Sequence, residues 1–290
     1  MKIISLQPSV SIILDRLGCL DSLAACTKYC LEAVPALRDR NLPIVQDSWS
    51  TKAEELLPVT SETHPTTIGS GHAEQLPGRS VLVIASVPYR QESLTAILKA
   101  GHPVLALAPH TLADIYADIR LIASITNAAA KGEAVIAEMQ ATIEAVRVQT
   151  RNIPSRPLVH CEEWGKPVIH SQQWVAELVE IAGGEFLGVP GATTTPEAIA
   201  IANPDVILAA WCGAGMRVPL DKIIAQRNWH HLAAVRERHV YCIADELLNT
   251  PAPNLIDGLR AIASTLHPDV FGTIHASSGR RLDPFPVSNV

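Results

Sequence analysis

Short apolar runs that recur between helical patterns constrain the fold of this 290-residue chain most. Several of them, such as "VLVIAS" (81–86), lack the apolar–polar alternation of a half-exposed strand. Continuous apolar runs of this length are typical of parallel strands buried on both faces. The candidate strands lie at 2–6, 23–26, 43–47, 81–86, 103–108, 157–162, 205–211 and 239–245. Their alternation with helical patterns predicts an α/β fold with mostly parallel sheets flanked by helices.

One long segment divides the chain. Between Thr111 and Arg151 there is no proline and Gly132 is the only glycine, and residues 131–151 place apolar side chains at helical spacing. A helix of about 20 residues spans about 30 Å, which is enough to bridge two lobes. We expect an N-terminal lobe over 1–128, one long rigid helix over 129–151, a C-terminal lobe over 152–270 and a disordered tail over 271–290.

The net charge indicates which partners to exclude, and the N-terminal sequence bears on location. The chain has 29 acidic and 23 Lys or Arg residues, a net charge of −6, which argues against a nucleic-acid or anionic-membrane partner. "MKIISLQPS" enters a strand pattern at once, without the apolar region of a signal peptide. The sequence therefore favours a cytoplasmic location, or an extracytoplasmic one if a leader has been trimmed.

The usual catalytic motifs are absent from the sequence. It contains no G-x-S-x-G, H-E-x-x-H, P-loop or EF-hand pattern. The glycines of "AGGEFLG" (182–188) follow a helical pattern instead of opening one, so they do not match a dinucleotide fingerprint. Cys26 and Cys30 have a spacing that suits a metal or a disulfide, without a second Cys or His pair beside them. We expect a binding protein with no catalytic residues, no metal site and no catalytic cofactor.

Aromatic residues supply the main functional signal. The chain has five Trp and three Phe, and indole offers a broad face and one N–H donor for holding a ligand. Ligands of open parallel sheets bind at the carboxyl ends of the strands. Two tryptophans lie in "EEWGKPVIHSQQW" (162–174), a segment that we interpret as a loop, and others follow candidate strands. The aromatic candidates for a ligand cleft are Tyr29, Trp49, Tyr89, Trp164, Trp174 and Trp211.

A family resemblance indicates the class of ligand. The segments that carry it are "IISLQPS" (3–9), "LDRLGCLDSLAACTKYC" (14–30), "EEWGKPVIHSQQWVAELVEIAGGEF" (162–186), "NPDVILAAW" (203–211) and the stretch 229–268. In this order they resemble the class III, helix-linked periplasmic-type substrate-binding proteins, particularly the cobalamin-binding branch. The resemblance implies two lobes that hold a cobalamin-like corrinoid between them, an ABC-type permease as partner and a monomeric chain.

The resemblance also implies roles for single residues. Tyr29, Trp49 and Tyr89 match cleft aromatics of the first lobe, and Trp164 and Trp174 fall where the second lobe forms an apolar wall. Asp245 and Asn249 belong to the segment that closes over the polar edge of the ligand. Docking to the permease is expected to use an acidic residue on each lobe, with these candidates: Glu54, Glu55 and Glu246.

Two alternatives remain open. The same scaffold could bind haem or an iron–siderophore, which predicts a basic cluster in the cleft built from Lys28, Arg90, Lys166 and Arg217. The chain could instead be a cytoplasmic corrinoid- or metal-handling enzyme that uses Cys26, Cys30, Cys161 or a histidine as a ligand.

Overall fold

The computed structural model describes residues 1–52, 56 and 81–283. The chain forms two compact units. The N-terminal unit comprises Met1–Pro109 and Ala113–Ile136, and the C-terminal unit comprises His110–Leu112 and Ala137–Val290. The extended loop expected at 57–80 lies outside the described residues.

The N-terminal unit contains a sheet of five described strands in the order β3-β2-β1-β4-β5. Neighbouring strands all run parallel. Ile3 and Ile4 point to opposite faces of β1, and both are fully buried, so helices cover both faces of the sheet. The strands are β1 (Lys2–Ser5), β2 (Leu23–Thr27), β3 (Ile44–Val45), β4 (Val81–Ser86) and β5 (Val104–Leu107).

Helix ends in this region follow local sequence signals. Pro8 occupies the first turn of its helix, and Gly18, at φ 68°, follows the end of that helix. Thr27 caps the next helix by accepting a hydrogen bond from the backbone N–H of Cys30. The helices are α1 (Pro8–Arg16), α2 (Lys28–Ala33), α3 (Gln91–Lys99), α4 (Leu112–Ile125) and α5 (Ala129–Thr150).

The stretch without proline contains two helices. Asn127, with φ 55°, separates α4 from α5, and asparagine adopts this left-handed conformation more readily than most residues. A Cβ at Gly132 would lie 2.6 Å from the Cβ of Ala123, so glycine allows α5 to pack closely on α4. The chain passes from the N-terminal unit to the C-terminal unit within α5, between Ile136 and Ala137.

The C-terminal unit contains a sheet of seven described strands in the order β12-β11-β10-β6-β7-β9, with β8 paired to β6. Its central strands β6, β10 and β11 are parallel, as predicted, while β7 and β12 run antiparallel to their neighbours. The strands are β6 (Leu158–Gly165), β7 (Val168–His170), β8 (Glu185–Phe186), β9 (Thr193–Thr194), β10 (Val206–Ala209), β11 (Val240–Ile243) and β12 (Gly279–Arg281). The helices are α6 (Gln173–Ile181), α7 (Pro196–Ala202), α8 (Leu220–Gln226), α9 (Ala233–Arg236), α10 (Leu255–Leu266) and α11 (Pro268–Phe271).

The prediction that residues 162–174 form a loop is wrong for the first half of the segment, which forms a β-hairpin. Strand β6 continues to Gly165, and Val168–His170 pair with it in antiparallel register. The turn contains Lys166 and Pro167, joined by a cis peptide bond. The hairpin places Trp164 and Trp174 on different elements, one on a strand and the other in helix α6.

The prediction of disorder over 271–290 is wrong for the part of the tail that the structure describes. Gly279–Arg281 pair with Tyr241–Ile243, and Leu282 is almost completely buried in the core of the C-terminal unit. The Arg280 guanidinium donates hydrogen bonds to the carbonyls of Met216 and Val218. The polar arginines of this segment are typical of a disordered tail. In the folded unit Arg280 and Arg281 instead donate hydrogen bonds to backbone carbonyls.

We predict that Leu282→Ala lowers the free energy of unfolding by about 2–5 kcal/mol, because it removes a buried side chain and leaves a cavity. Urea unfolding measures this change. Val270→Ala is the control, since Val270 is 48% exposed and its truncation should cost under about 0.5 kcal/mol. Equal effects of the two substitutions would contradict a docked C-terminal strand.

Candidate functional site

Hydrogen bonds tie together the loops at the carboxyl edge of the N-terminal sheet. Gln7, after β1, donates to the Ser48 hydroxyl at 2.6 Å and to the Pro88 carbonyl at 3.0 Å. The buried Ser48 hydroxyl donates in turn to the carbonyls of Ser86 and Pro88. The Arg90 backbone N–H donates to the Ser48 carbonyl at 3.3 Å. The loops after β1, β3 and β4 therefore form one connected surface.

Aromatic rings and cations lie on this surface. Trp49 is 51% exposed and Tyr29 is 38% exposed, while Tyr89 is half-buried. The Arg90 guanidinium lies 5.5 Å from the Trp49 ring centroid, and the Lys28 ammonium lies 4.8 Å from that of Tyr29. Such cation–π pairs hold flat rings beside positive charge. The edge can therefore contact an apolar face and an anionic group of one ligand.

The exposed Trp49 is held by the loop that carries it. Asp47 Oδ1 accepts hydrogen bonds from the backbone N–H groups of Trp49, at 3.1 Å, and Ser50, at 2.9 Å. Ser93 donates to the Trp49 carbonyl at 3.4 Å. The backbone is fixed while the indole faces solvent, which reduces the conformational entropy that a ligand contact would cost.

The C-terminal unit presents an exposed tryptophan at the corresponding edge of its own sheet. Trp164, near the end of β6, is 44% exposed, and its Nε1 donates to the Lys166 carbonyl at 3.0 Å. The hairpin turn therefore orients an indole whose face remains accessible. Lys166 is also exposed at this turn.

Polar groups lie at the ends of β6, β10 and β11, the edge of the sheet that also carries Trp164. The Glu163 carboxylate accepts a hydrogen bond from Gln172 Nε2 at 2.7 Å and from the Cys212 thiol at 3.7 Å. Burial raises the pKa of Glu163, although the hydrogen bonds from Gln172 and Cys212 oppose this. Asn249 Nδ2 donates to the Ala210 carbonyl at 2.6 Å and to the Cys212 sulfur at 3.3 Å.

Asp245 shapes the loop that follows β10. Its two carboxylate oxygens accept hydrogen bonds from the backbone N–H groups of Gly213, at 2.7 Å, and Gly215, at 2.6 Å. Both glycines have positive φ, 74° and 56°, which favours glycine. Both carboxylate oxygens of Asp245 therefore hold the loop. The Asn249 side chain also binds this region, through its Nδ2 donor and the Ala210 carbonyl.

A buried charge network, which was not predicted from the sequence, lies behind this edge. Glu162, only 2% exposed, receives two hydrogen bonds from Arg227, at 2.6 and 2.9 Å, and one from His160 at 3.1 Å. Trp211 Nε1 donates to the same carboxylate at 2.8 Å. The Arg227 guanidinium also lies 4.8 Å from the ring centroid of Trp229. Bidentate pairing with additional hydrogen bonds is what makes a buried ion pair tolerable.

The network changes the protonation of its members. Burial by itself raises the pKa of Glu162, but hydrogen bonds and charge from His160 and Arg227 outweigh it and lower that pKa to about 2. Burial lowers the pKa of His170 to about 4, and the ring of His170 lies 5.3 Å from that of His160. The carboxylate is therefore ionised and His170 neutral near pH 7.

Two predicted ligand residues belong to the interior of the C-terminal unit. Trp174 is 4% exposed, and its Nε1 donates to the buried Leu248 carbonyl at 2.8 Å, so it stabilises the core and does not present a face to a ligand. Trp211 is half-buried against the core, with its indole N–H committed to Glu162. A Cβ at Gly165 would lie 2.2 Å from the Trp211 ring, so glycine lets the hairpin cover that ring.

The predicted docking residues and the predicted basic residues also have positions in the structure or outside its described part. Glu246 is exposed, whereas Glu54 and Glu55 lie outside the described residues. Of the four basic candidates, Lys28 and Arg90 lie on the edge of the N-terminal sheet and Lys166 and Arg217 belong to loops at the edge of the C-terminal sheet.

A sequence signal for part of the buried network does exist. His160 and Glu162 lie two residues apart in a candidate strand, so their side chains share a face, and both are polar residues in an apolar run. Their spacing could have suggested a buried polar cluster. Nothing in the sequence indicates Arg227 as the partner, because it follows 65 residues after Glu162.

We predict that Glu162 makes stability pH-dependent in acid. A carboxylate whose folded pKa is about 2, against about 4.3 when unfolded, stabilises the fold above pH 4.3, and this contribution is lost as the pH falls towards 2. The stability difference between wild type and Glu162→Gln should therefore shrink by about 1–2 kcal/mol from pH 6 to pH 3. Urea unfolding at both pH values measures it, and an unchanged difference would contradict an ionised buried Glu162.

Comparisons with known proteins agree with this architecture. The family model described as "Periplasmic binding protein" matches residues 3–247. The uncharacterized ABC transporter substrate-binding lipoprotein YvrC of Bacillus subtilis is 21% identical over 197 residues, which cover 64% of this chain and 61% of the relative. The match thus spans less than two thirds of that relative.

Three solved structures share the fold at low sequence identity. The periplasmic heme-binding protein RhuT of Roseiflexus sp. RS-1 has a TM-score of 0.73 and 22% identity, with 93% of this chain and 98% of that chain covered. A periplasmic heme-binding protein of Pseudomonas aeruginosa has a TM-score of 0.76 and 16% identity, with 97% of this chain and 95% of that chain covered. The periplasmic vitamin B12-binding protein BtuF of Vibrio cholerae has a TM-score of 0.68 and 20% identity, with 91% of this chain and 96% of that chain covered.

The relatives also bear on location and membrane association. They are described as periplasmic proteins or as a lipoprotein, so the comparisons do not support the cytoplasmic preference. Among the described residues, no helix is both long and apolar enough to span a membrane. Two α/β units with parallel central strands, exposed rings at their carboxyl edges and a family match over residues 3–247 lead to one conclusion: the chain belongs to the periplasmic binding protein family.

Proposed function

We propose that this protein binds a cobalamin-like corrinoid and delivers it to an ABC-type importer. The observation that carries the proposal is the set of exposed aromatic rings at the carboxyl edges of both sheets: Tyr29, Trp49 and Trp164. Flat rings on fixed backbone suit a broad planar ligand, and each stacking contact contributes about 0.5–1.5 kcal/mol beyond area burial. We propose that rings from both lobes contact the same ligand.

The polar groups around Trp164 support a corrinoid. The periphery of a corrin carries amide groups, whose N–H donors require acceptors. Glu163 supplies a carboxyl acceptor at the edge of the C-terminal sheet. An acidic acceptor suits the uncharged amides of a corrin better than the anionic carboxylates of a porphyrin.

Haem is the second candidate, and Lys28 and Arg90 favour it. Both cations lie beside exposed aromatic rings, so each ring–cation pair can contact a porphyrin face and a propionate together. Two of the structural relatives are described as heme-binding proteins. The edge of the N-terminal sheet thus pairs cations with exposed rings, while the edge of the C-terminal sheet carries both acidic and basic side chains, among them Glu163 and Lys166.

Location and partner follow from the same proposal. Because its relatives are described as periplasmic or lipoprotein, we propose that the chain acts outside the cytoplasmic membrane as a monomer. We retain Glu246 as the docking residue of the C-terminal lobe, since it is exposed beside the loop that follows β11. Glu54 or Glu55 remains the proposed docking residue of the N-terminal lobe.

Calorimetric titration of the purified protein tests the ligand. Cyanocobalamin, haem and a ferric siderophore are titrated in parallel, after any reductant used in purification has been removed. The proposal predicts saturable heat with one molecule of cyanocobalamin per chain and weaker binding of haem. If only haem produces binding heat, the ligand is haem and not a corrinoid. If only the siderophore does, neither a corrinoid nor haem is the ligand.

We predict that Trp49→Ala and Trp164→Ala each weaken cyanocobalamin binding by about 5–30-fold, or about 1–2 kcal/mol, through loss of a stacking face. Their unfolding midpoints should stay close to that of wild type, because both side chains are largely exposed. Ile201→Ala, at an 86% exposed position on α7, is the control and should change neither quantity. Trp174→Ala should instead lower the free energy of unfolding by about 3–5 kcal/mol, because Trp174 is buried. Unchanged affinity in both ligand-edge variants would exclude the proposed site.

A further inference from the structure

Two buried thiols lie next to each other beneath the N-terminal edge. Cys26 ends the apolar part of β2 and Cys30 lies in the first turn of α2, and neither side chain is exposed to solvent. Cys26 pairs in register with Ser5 of β1, and the Ser5 hydroxyl lies 3.7 Å from the Cys30 sulfur, so both cysteines lie next to the same serine. Strand and helix thus bring together two sulfurs that are four residues apart in the chain.

Hydroxyl groups surround Cys30. The Thr27 hydroxyl lies 3.3 Å from the Cys30 sulfur, and the Ser5 hydroxyl lies 3.7 Å from it. Ser11 donates to the Ser5 hydroxyl at 2.9 Å, which connects a third hydroxyl to the group around the sulfur. Hydrogen bonds from Cys26, and then from Ser11 and Thr27, lower the pKa of Cys30 against the opposing effect of burial. The same thiol–thiol hydrogen bond, with burial, raises the pKa of Cys26.

The other buried cysteines have different surroundings. Cys161 lies in an apolar strand with Ser171 as its hydroxyl partner at 3.1 Å, and burial raises its pKa to about 12. Burial also raises the pKa of Cys242. Neither has a second thiol among its hydrogen-bond partners in the described part of the chain. A thiolate is the reactive form of cysteine, so these two are poor nucleophiles, while the pair combines an activated thiol with a neighbour that can resolve it.

We propose that Cys26 and Cys30 form a redox-active pair that closes to an intramolecular disulfide by exchange with an organic disulfide. The Cys30 thiolate attacks the external disulfide and displaces one thiolate, which leaves a mixed disulfide on Cys30. Once Cys30 is held in the mixed disulfide, its hydrogen bond no longer raises the pKa of Cys26. Cys26 then loses its proton, attacks the Cys30 sulfur as a thiolate and displaces the second thiolate. One external disulfide becomes two thiols, and the two protons lost by the cysteines are taken up by those thiols.

Access to the pair requires only a local opening. Helix α2 has six residues, its N-terminal cap is the single Thr27 side chain, and its Lys28 and Tyr29 are exposed. Short capped segments of this kind open with free energies well below that of global unfolding. The disulfide would fix the backbone of the turn that carries Lys28 and Tyr29, which the proposed function places against the ligand. The thiol chemistry itself does not depend on that function.

The sequence provides a sharp test, because trypsin cleaves after Lys28, between the two cysteines. Cys19→Ser protein is used, so that the tryptic peptides 17–28 and 29–38 contain only Cys26 and Cys30. The folded protein is incubated with oxidised glutathione, quenched in acid, alkylated in denaturant with iodoacetamide and digested without reductant. We expect loss of both alkylated cysteines and recovery of the two peptides as one linked species, which dithiothreitol separates.

Matched variants show whether the link needs both thiols. Cys26→Ser and Cys30→Ser, each in the same background, should give no linked species and should carry at most a glutathione adduct on the remaining cysteine. Full alkylation of Cys26 and Cys30 after incubation of the folded protein with oxidised glutathione would overturn the proposal. Formation of the link only when the oxidant is added in denaturant would also overturn it, because the folded arrangement would then play no part.

Discussion

Parallel pairing of the central strands decides where this protein can place its functional groups. In the N-terminal unit β1 pairs with β2 and β4 in parallel, and in the C-terminal unit β10 pairs in the same way with β6 and β11. Parallel strands place all their carboxyl ends at one edge of the sheet. Tyr29, in the helix after β2, and Trp49, in the loop after β3, therefore share one edge. Trp164, near the end of β6, and Cys212, in the loop after β10, share another.

What distinguishes the two edges is how their loops are held. Neutral hydrogen bonds centred on Ser48 connect the loops of the N-terminal unit. The C-terminal unit uses ionised groups: Asp245 binds two glycine N–H groups, and Glu162 binds Arg227, His160 and Trp211 from within the core. A buried carboxylate is costly unless every neighbour pairs with it, so this half of the molecule depends on a complete set of partners. Arg227 also donates to the Gly165 carbonyl, which connects this network to the hairpin that carries Trp164.

The sequence was sufficient for the α/β class and for the eight strands that read as apolar runs, because a buried parallel strand leaves a continuous apolar signature. It did not predict the hairpin at Trp164 or the strand at Gly279–Arg281, since these pair through backbone groups and carry polar side chains that resemble loops. Among the candidate site residues, position along the chain correctly indicated exposed rings at Trp49 and Trp164. It could not distinguish Trp174, whose indole N–H finds a partner only 74 residues away.

Charge was the least predictable property of the site. Lys28 and Arg90 were recognised as candidates, but their positions over aromatic rings depend on the connected loops of the folded unit. Asp245 was expected to face a ligand, yet its oxygens hold a loop. Long-range pairing such as that of Glu162 with Arg227 leaves no local pattern, because the two partners come from segments far apart in the chain. The fold therefore follows from composition and periodicity, while the chemistry of the edges follows from tertiary contacts.

Hydrogen–deuterium exchange with and without bound cyanocobalamin tests the central claim, which is that ligand contacts lie at the carboxyl edges of both sheets. The account predicts slower exchange on binding for backbone amides at 28–30, 48–51, 163–166 and 211–214, with little change at the opposite ends of the same strands. Protection confined to one unit, or centred on the amino ends of the strands, would contradict it.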